Sequence, residues 1–239
     1  MLKTVGSRVV VVVLMFLTVM TGPATAGTIV GSYHDLSWIN SKHVAFNGGQ
    51  YFTDYNEVCI YCHIPHYANQ AAGPLWNRAT NTTTFDLYQS STLDSAPGQP
   101  GASSRLCLSC HDGSVAVDAL VHLPPADADD ELSGVHGKMV NPPQQSHVDC
   151  SFCHRGAFGN FSASFFGNVL SNEHPVGITY SAADDLVSLP ADGVFPNGIR
   201  IIDGRVECAS CHNVHNPDVR PFLRISNSGS ALCYTCHIK

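Results

Sequence analysis

Three things are scarce in this chain: spare cysteine, methionine and long apolar runs. All ten cysteines fall into one recurring pattern, so no thiol is left for a disulfide framework or a nucleophile. Beyond residue 20 the only methionine is Met139, and no later stretch is apolar enough to span a bilayer. Basic residues are few, with 12 Lys and Arg against 19 Asp and Glu and a formal net charge of −7, which argues against a nucleic-acid partner. Long uninterrupted periodicity is missing too, because stretches such as Pro97-Gly98-Gln99-Pro100-Gly101 and Asn141-Pro142-Pro143 break any regular pattern.

What the chain does have is Cys-x-x-Cys-His, five times over: Cys59/Cys62/His63, Cys107/Cys110/His111, Cys150/Cys153/His154, Cys208/Cys211/His212 and Cys233/Cys236/His237. This pentapeptide is the attachment site of c-type haem. The two thiols add to the porphyrin vinyl groups and the adjacent imidazole ligates iron. Zinc sites or redox disulfides also use Cys-x-x-Cys, but neither needs a histidine directly after the second cysteine, and here every copy has one. Five haem c groups, each with iron, are therefore expected.

Residues 1–26 read as a secretory signal. Lys3 and Arg8 precede an apolar segment over residues 9–20, and Ala24-Thr25-Ala26 forms a small-residue cleavage site. The apolar segment is shorter than the ~20 residues of a spanning helix, so cleavage is expected to release a secreted product, extracellular or at the cell surface and otherwise periplasmic, with no membrane span. Residues 27–239 then form one pentahaem domain, with about forty residues per haem. So little protein predicts mostly loops with short helices and little sheet, around a core of closely packed haems. Arg78, Arg105, Arg200, Arg205, Arg220 and Arg224 are candidates to pair haem propionates. The run Asp127-Ala128-Asp129-Asp130-Glu131 lacks calcium-loop spacing and reads as a solvated turn.

An internal duplication divides the domain. Cys59-x-x-Cys62-His63-x-x-His66 is followed by Pro74-Leu75 and Arg78, and Cys208-x-x-Cys211-His212-x-x-His215 by Pro221-Phe222-Leu223 and Arg224. Each copy closes on a second pentapeptide. This gives two-haem modules at 27–111 and 173–239, with the third haem on an insertion at 112–172. With methionine nearly absent, the second axial ligands are expected to be histidines. The duplication selects His34, His66, His174 and His215. His66 and His215 lie three residues past their own proximal histidine, on one side of a helical turn, and so are expected to reach a neighbouring iron. His136 is the choice for the inserted haem, ahead of His147 and then His122, while His43 is left without a role.

The CxxCHxxH segment followed by Pro74-Leu75-Trp76-Asn77-Arg78, the Leu106-Cys107-Leu108-Ser109-Cys110-His111-Asp112-Gly113 segment and the Glu173-His174-Pro175 element resemble the doubled-CxxCH multihaem c-type cytochromes. The likeness is greatest to the small extracellular OmcE-type cytochromes that polymerise into nanowires, known members of which carry four bis-histidine haems per subunit. That resemblance implies electron transport rather than catalysis, other redox proteins or extracellular acceptors as partners, and assembly into a conductive homopolymer. In such a filament His34, His43 or His174 would ligate iron in a neighbouring subunit. The fifth haem departs from that pattern. A discrete periplasmic carrier is the alternative, and a multihaem oxidoreductase with one open haem, the third being the one suspected, is a further one.

Overall fold

The computed structural model describes residues 28–37, 55, 57–113, 120–122, 155–156, 159–160, 164–181 and 183–238. The third pentapeptide (Cys150, Cys153, His154), His43, His136 and His147 lie outside the described residues.

Regular structure is sparse. The longest helix, α1, is Ala102–His111, and α2 (Cys208–Cys211) and α3 (Ala231–Tyr234) are single turns, the last preceded by a 3-10 turn at Ser228–Ser230. Among the described residues six two-residue strands form three ribbons. β1 (Asp86–Leu87) lies parallel to β4 (Val169–Leu170), β2 (Arg155–Gly156) antiparallel to β3 (Gly159–Asn160), and β5 (Ile178–Thr179) antiparallel to β6 (Arg205–Val206). The expectation of loops, short helices and little sheet is met. Among the described residues, no helix is long and apolar enough to cross a membrane.

The apolar interior is correspondingly small. One cluster joins Phe85, Leu108 and Leu170, so it packs α1 against the β1–β4 ribbon. Burying a leucine of this kind stabilises by about 1.5–3 kcal/mol. A second cluster joins Phe195, Ile199 and Ile201, flanked by Val206, Leu232 and Cys236. Much of the remaining buried surface is polar, including Asn77, Arg78, Ser104, Ser109 and Glu207.

Helix α1 begins where Pro100 ends the preceding extended stretch and Gly101 takes the N-cap position with ψ 178°. It stops at Asp112, whose carboxylate accepts Asn81 Nδ2 at 2.5 Å and Thr83 Oγ1 at 2.9 Å, while Asn81 Nδ2 also reaches Leu108 O at 3.0 Å. These bonds satisfy groups at the helix end and fix where it points. Helices α1 and α2 pack together, and α1 carries the second pentapeptide as α2 carries the fourth.

Candidate haem sites and their histidines

The described pentapeptides share one local geometry. The amide N–H of the histidine bonds to the carbonyl of the first cysteine in three of them: His63 to Cys59 at 2.7 Å, His212 to Cys208 at 3.1 Å and His237 to Cys233 at 2.9 Å. This i→i−4 bond closes one α-helical turn, and the second pentapeptide lies within α1. Residues at i, i+3 and i+4 of such a turn share a face, so both thiols and the imidazole point the same way. A porphyrin bound to both thiols therefore lies against its own proximal imidazole.

The two duplicated loops share two main-chain hydrogen bonds, although the first is two residues longer. Ile64 N donates to Leu75 O and Asn213 N to Phe222 O; Asn77 N donates to Cys62 O and Arg224 N to Cys211 O. Leu75 and Phe222, both in the left-handed region at φ 56° and 62°, make the same turn. The structure corrects the register of one residue. The counterpart of Arg224 is Asn77, not Arg78, because Asn77 Nδ2 reaches Ile60 O at 2.9 Å and Arg224 Nε reaches Ala209 O at 2.9 Å, the carbonyl that follows the first cysteine in each loop.

The histidine rings meet in pairs across long sequence distances. His215 stacks opposite His63 with centroids 6.1 Å apart, His34 faces His111 at 6.1 Å, and His174 faces His237 at 6.4 Å. Two imidazoles on opposite sides of one metal, each bonded at about 2.0 Å with about 1.2 Å from nitrogen to ring centroid, have centroids about 6.4 Å apart. The pairs fit that spacing. Among the described residues no group of three or more His, Cys, Asp or Glu side chains is set to hold a bare ion. Paired imidazoles suit an iron that takes its other four ligands from porphyrin.

The ring nitrogens agree. His63 Nδ1 lies 3.0 Å from Pro74 O, His212 Nδ1 3.0 Å from Pro221 O, His111 Nδ1 2.5 Å from Ser164 O and His174 Nδ1 3.2 Å from Pro175 O. A carbonyl only accepts, so each Nδ1 carries the proton and Nε2 keeps its lone pair for a metal. Burial, followed by the charges of His111, His212 and His215, lowers His34 to about 4, and burial also lowers His174 and His212. Neutral imidazole is the form that ligates metal. Nδ1 of His34 and of His237 is buried with no hydrogen-bond partner among the described residues.

The fourth expected distal residue behaves differently. His66 is exposed, as are His174 and His215, but among the described residues its ring makes no contact with another ring. His122, a lower choice for the inserted haem, stands beside Tyr67 with centroids 5.7 Å apart and has its backbone held at both ends by Asn77, at 3.0 Å each.

All eight described cysteines are free thiols, standing here for the thioether sulfurs of the haem-bound form. Their neighbours trace an order. Burial and then Cys110 push Cys62 up to about 12, and burial and then Cys236 push Cys211 up to about 11. Cys208 and burial together raise Cys107, and Cys107 lowers Cys208 against the opposing effects of burial and the Glu207 carboxylate. Sulfurs of the first and second pentapeptides are thus neighbours, as are those of the second and fourth, and of the fourth and fifth.

Of the arginines considered for propionates, several serve main-chain carbonyls. Arg105 reaches Pro100 O, Asn81 O and Thr83 O at 3.0–3.1 Å, and Arg205 Nε reaches Gly177 O at 3.0 Å. The Cβ of any other residue at Gly177, where φ is +78°, would fall on Gly98 O, so the close approach of these two segments requires glycine there. Sequence reading missed two groups of consequence. Asn77 was passed over as part of a motif, and the Glu207–Ser104 contact carries no local signal because its halves lie in different modules.

Residues 202–239 match the family described as Doubled CXXCH motif, which spans the fourth and fifth pentapeptides. The match supports covalent haem c, metal binding and a multihaem c-type cytochrome whose work is electron transport. Among curated proteins nothing matches the chain.

Proposed function

We propose that this chain transfers electrons through five haem c groups, one at each Cys-x-x-Cys-His, and breaks no bond in a substrate. The observation that carries the reading is the set of facing imidazole pairs His63/His215, His111/His34 and His237/His174 at 6.1–6.4 Å. An iron held by imidazole on both sides has no position for a substrate and exchanges electrons with little rearrangement. The cofactor supplies the redox chemistry, and the chain sets spacing, orientation and potential. Neighbouring sulfurs at sites one and two, two and four, and four and five support close haem contacts in that order. Bis-imidazole ligation without methionine favours ferric iron and low potentials.

Export rests on the composition of residues 1–26, and assembly into an extracellular filament rests on the family resemblance. In the filament reading, redox partners at the cell surface load the wire, whereas a discrete periplasmic carrier meets them one at a time. Electron micrographs of the secreted protein separate the two, since isolated particles at high concentration remove the filament. One observation favours an oxidoreductase instead: His212 has no facing imidazole among the described residues. Carbon monoxide titration of the reduced holoprotein tests this. Electron transfer alone predicts no uptake, and uptake of about one equivalent per chain shows one open haem, at His212 or at the third site.

A further inference from the structure

Glu207 is a carboxylic acid 3% exposed, located where the two haem-bearing helices meet. Its two oxygens each accept the Gly101 amide at 3.1 Å, which tethers the N-terminus of α1. Ser104 Oγ also donates to it. The proton assignment follows from the other side of that hydroxyl, which accepts Cys208 N–H at 2.9 Å and so directs its own hydrogen at the carboxylate. Within α2, Glu207 and Ser210 complete a reciprocal capping box. Every group that faces Glu207 is a donor, the surroundings of an ionised carboxylate. Among the described residues no Arg, Lys or His forms an ion pair with it.

The approach is close enough that a Cβ at Gly101 would lie 2.5 Å from Glu207 Oε1, so any other residue at the N-cap of α1 would displace the carboxylate. Capping alone does not call for a buried charge. A neutral serine at the N-cap of α2 does that job at the surface, and placing a carboxylate in the interior costs several kcal/mol unless donors offset it. What a fixed interior charge adds is a field. Glu207 precedes Cys208 directly and acts on that thiol, and its partner Ser104 lies one helical turn before Cys107, so the charge sits beside one attachment site and is hydrogen-bonded to the helix that carries the other. A nearby negative charge stabilises Fe(III) over Fe(II).

Resting on the proposed haem attachment, we infer that Glu207 lowers the reduction potentials of the two haems held by Cys107/Cys110 and Cys208/Cys211, and fixes their helices against each other at the junction of the two modules. It acts as a positioning and potential-setting residue, because it touches the helices and neither iron. Electrons crossing between modules therefore pass a pair of haems tuned together.

The test is a spectroelectrochemical titration of the holoprotein with Glu207→Gln, after haem per chain has been counted as the pyridine haemochrome. The expected result is that two of the midpoint potentials rise while the others keep their wild-type values, and that Glu207→Asp, which retains the charge, shifts them less. Unchanged potentials in Glu207→Gln at full haem content overturn the inference, and so does an equal shift of every haem. Should Glu207→Gln fail to accumulate, Glu207→Ser supplies a neutral N-cap for the same reading. A wild-type chain without covalent haem defeats the proposed function instead, which keeps the two failures apart.

Discussion

The loop from Cys62 to Asn77 and the shorter loop from Cys211 to Arg224 repeat the same main-chain hydrogen bonds, yet they present their second histidines differently. Both bond a proline carbonyl to the proximal Nδ1, at Pro74 and Pro221, and both turn through a left-handed residue. His66 and His215 are both exposed, but His215 crosses to face His63, whereas His66 meets no ring among the described residues. Their surroundings differ to match. Phe222 packs on the ring of His34 with centroids 4.5 Å apart, while Leu75, at the equivalent position, is 52% exposed. Repeated backbone thus secures the proximal half of each site, and the distal half depends on what the rest of the chain brings alongside.

That contrast can be broken most forcefully at His215. His215→Ala is expected to turn one haem from low to high spin and to let the reduced protein bind about one equivalent of carbon monoxide, read by ferric EPR and by titration. Next come the two side chains that serve the same carbonyl. Asn77→Ala removes bonds to Ile60 O, His122 O and His122 N, and a loss of about 1–3 kcal/mol is expected in thermal or denaturant unfolding of the holoprotein. Arg224→Ala removes the single bond to Ala209 O and is expected to lose about 1 kcal/mol. Equal losses would show that Asn77's hold on the 120–122 segment contributes nothing.

Glycine at the two left-handed positions should separate the loops again. Phe222→Gly forfeits packing on His34 and is expected to destabilise by about 2 kcal/mol. Leu75→Gly relieves about 1 kcal/mol of left-handed strain with little packing lost, so its melting curve should match or exceed that of the wild type. The smallest effect is expected from His66→Ala, with spin states unchanged by EPR. A new high-spin haem in that variant would restore symmetry to the loops and assign His66 to an iron.

Much of this was legible in the chain alone, for reasons that differ by feature. Each pentapeptide is read in five consecutive residues, and one helical turn imposes its geometry, so Cys107, Cys110 and His111 needed no tertiary information. Scarcity of secondary structure followed from the Gly and Pro punctuation and the small apolar core. His34, His174 and His215 were selected by repetition, but which ring each would face depends on contacts between modules that no periodicity encodes. Asn77 and Arg224 perform one task with unlike side chains, so sequence similarity placed Arg78 there instead. Glu207 looks like an ordinary acidic residue before a cysteine, and only its burial against Ser104 and Gly101 gives it meaning.

Intact-mass analysis of the denatured, purified product tests the central claim most directly, because thioether-linked haem survives denaturation. The account predicts a polypeptide carrying five covalent haems, one for each Cys-x-x-Cys-His. A bare polypeptide mass, or one lowered only by the hydrogens lost to disulfides, would contradict it.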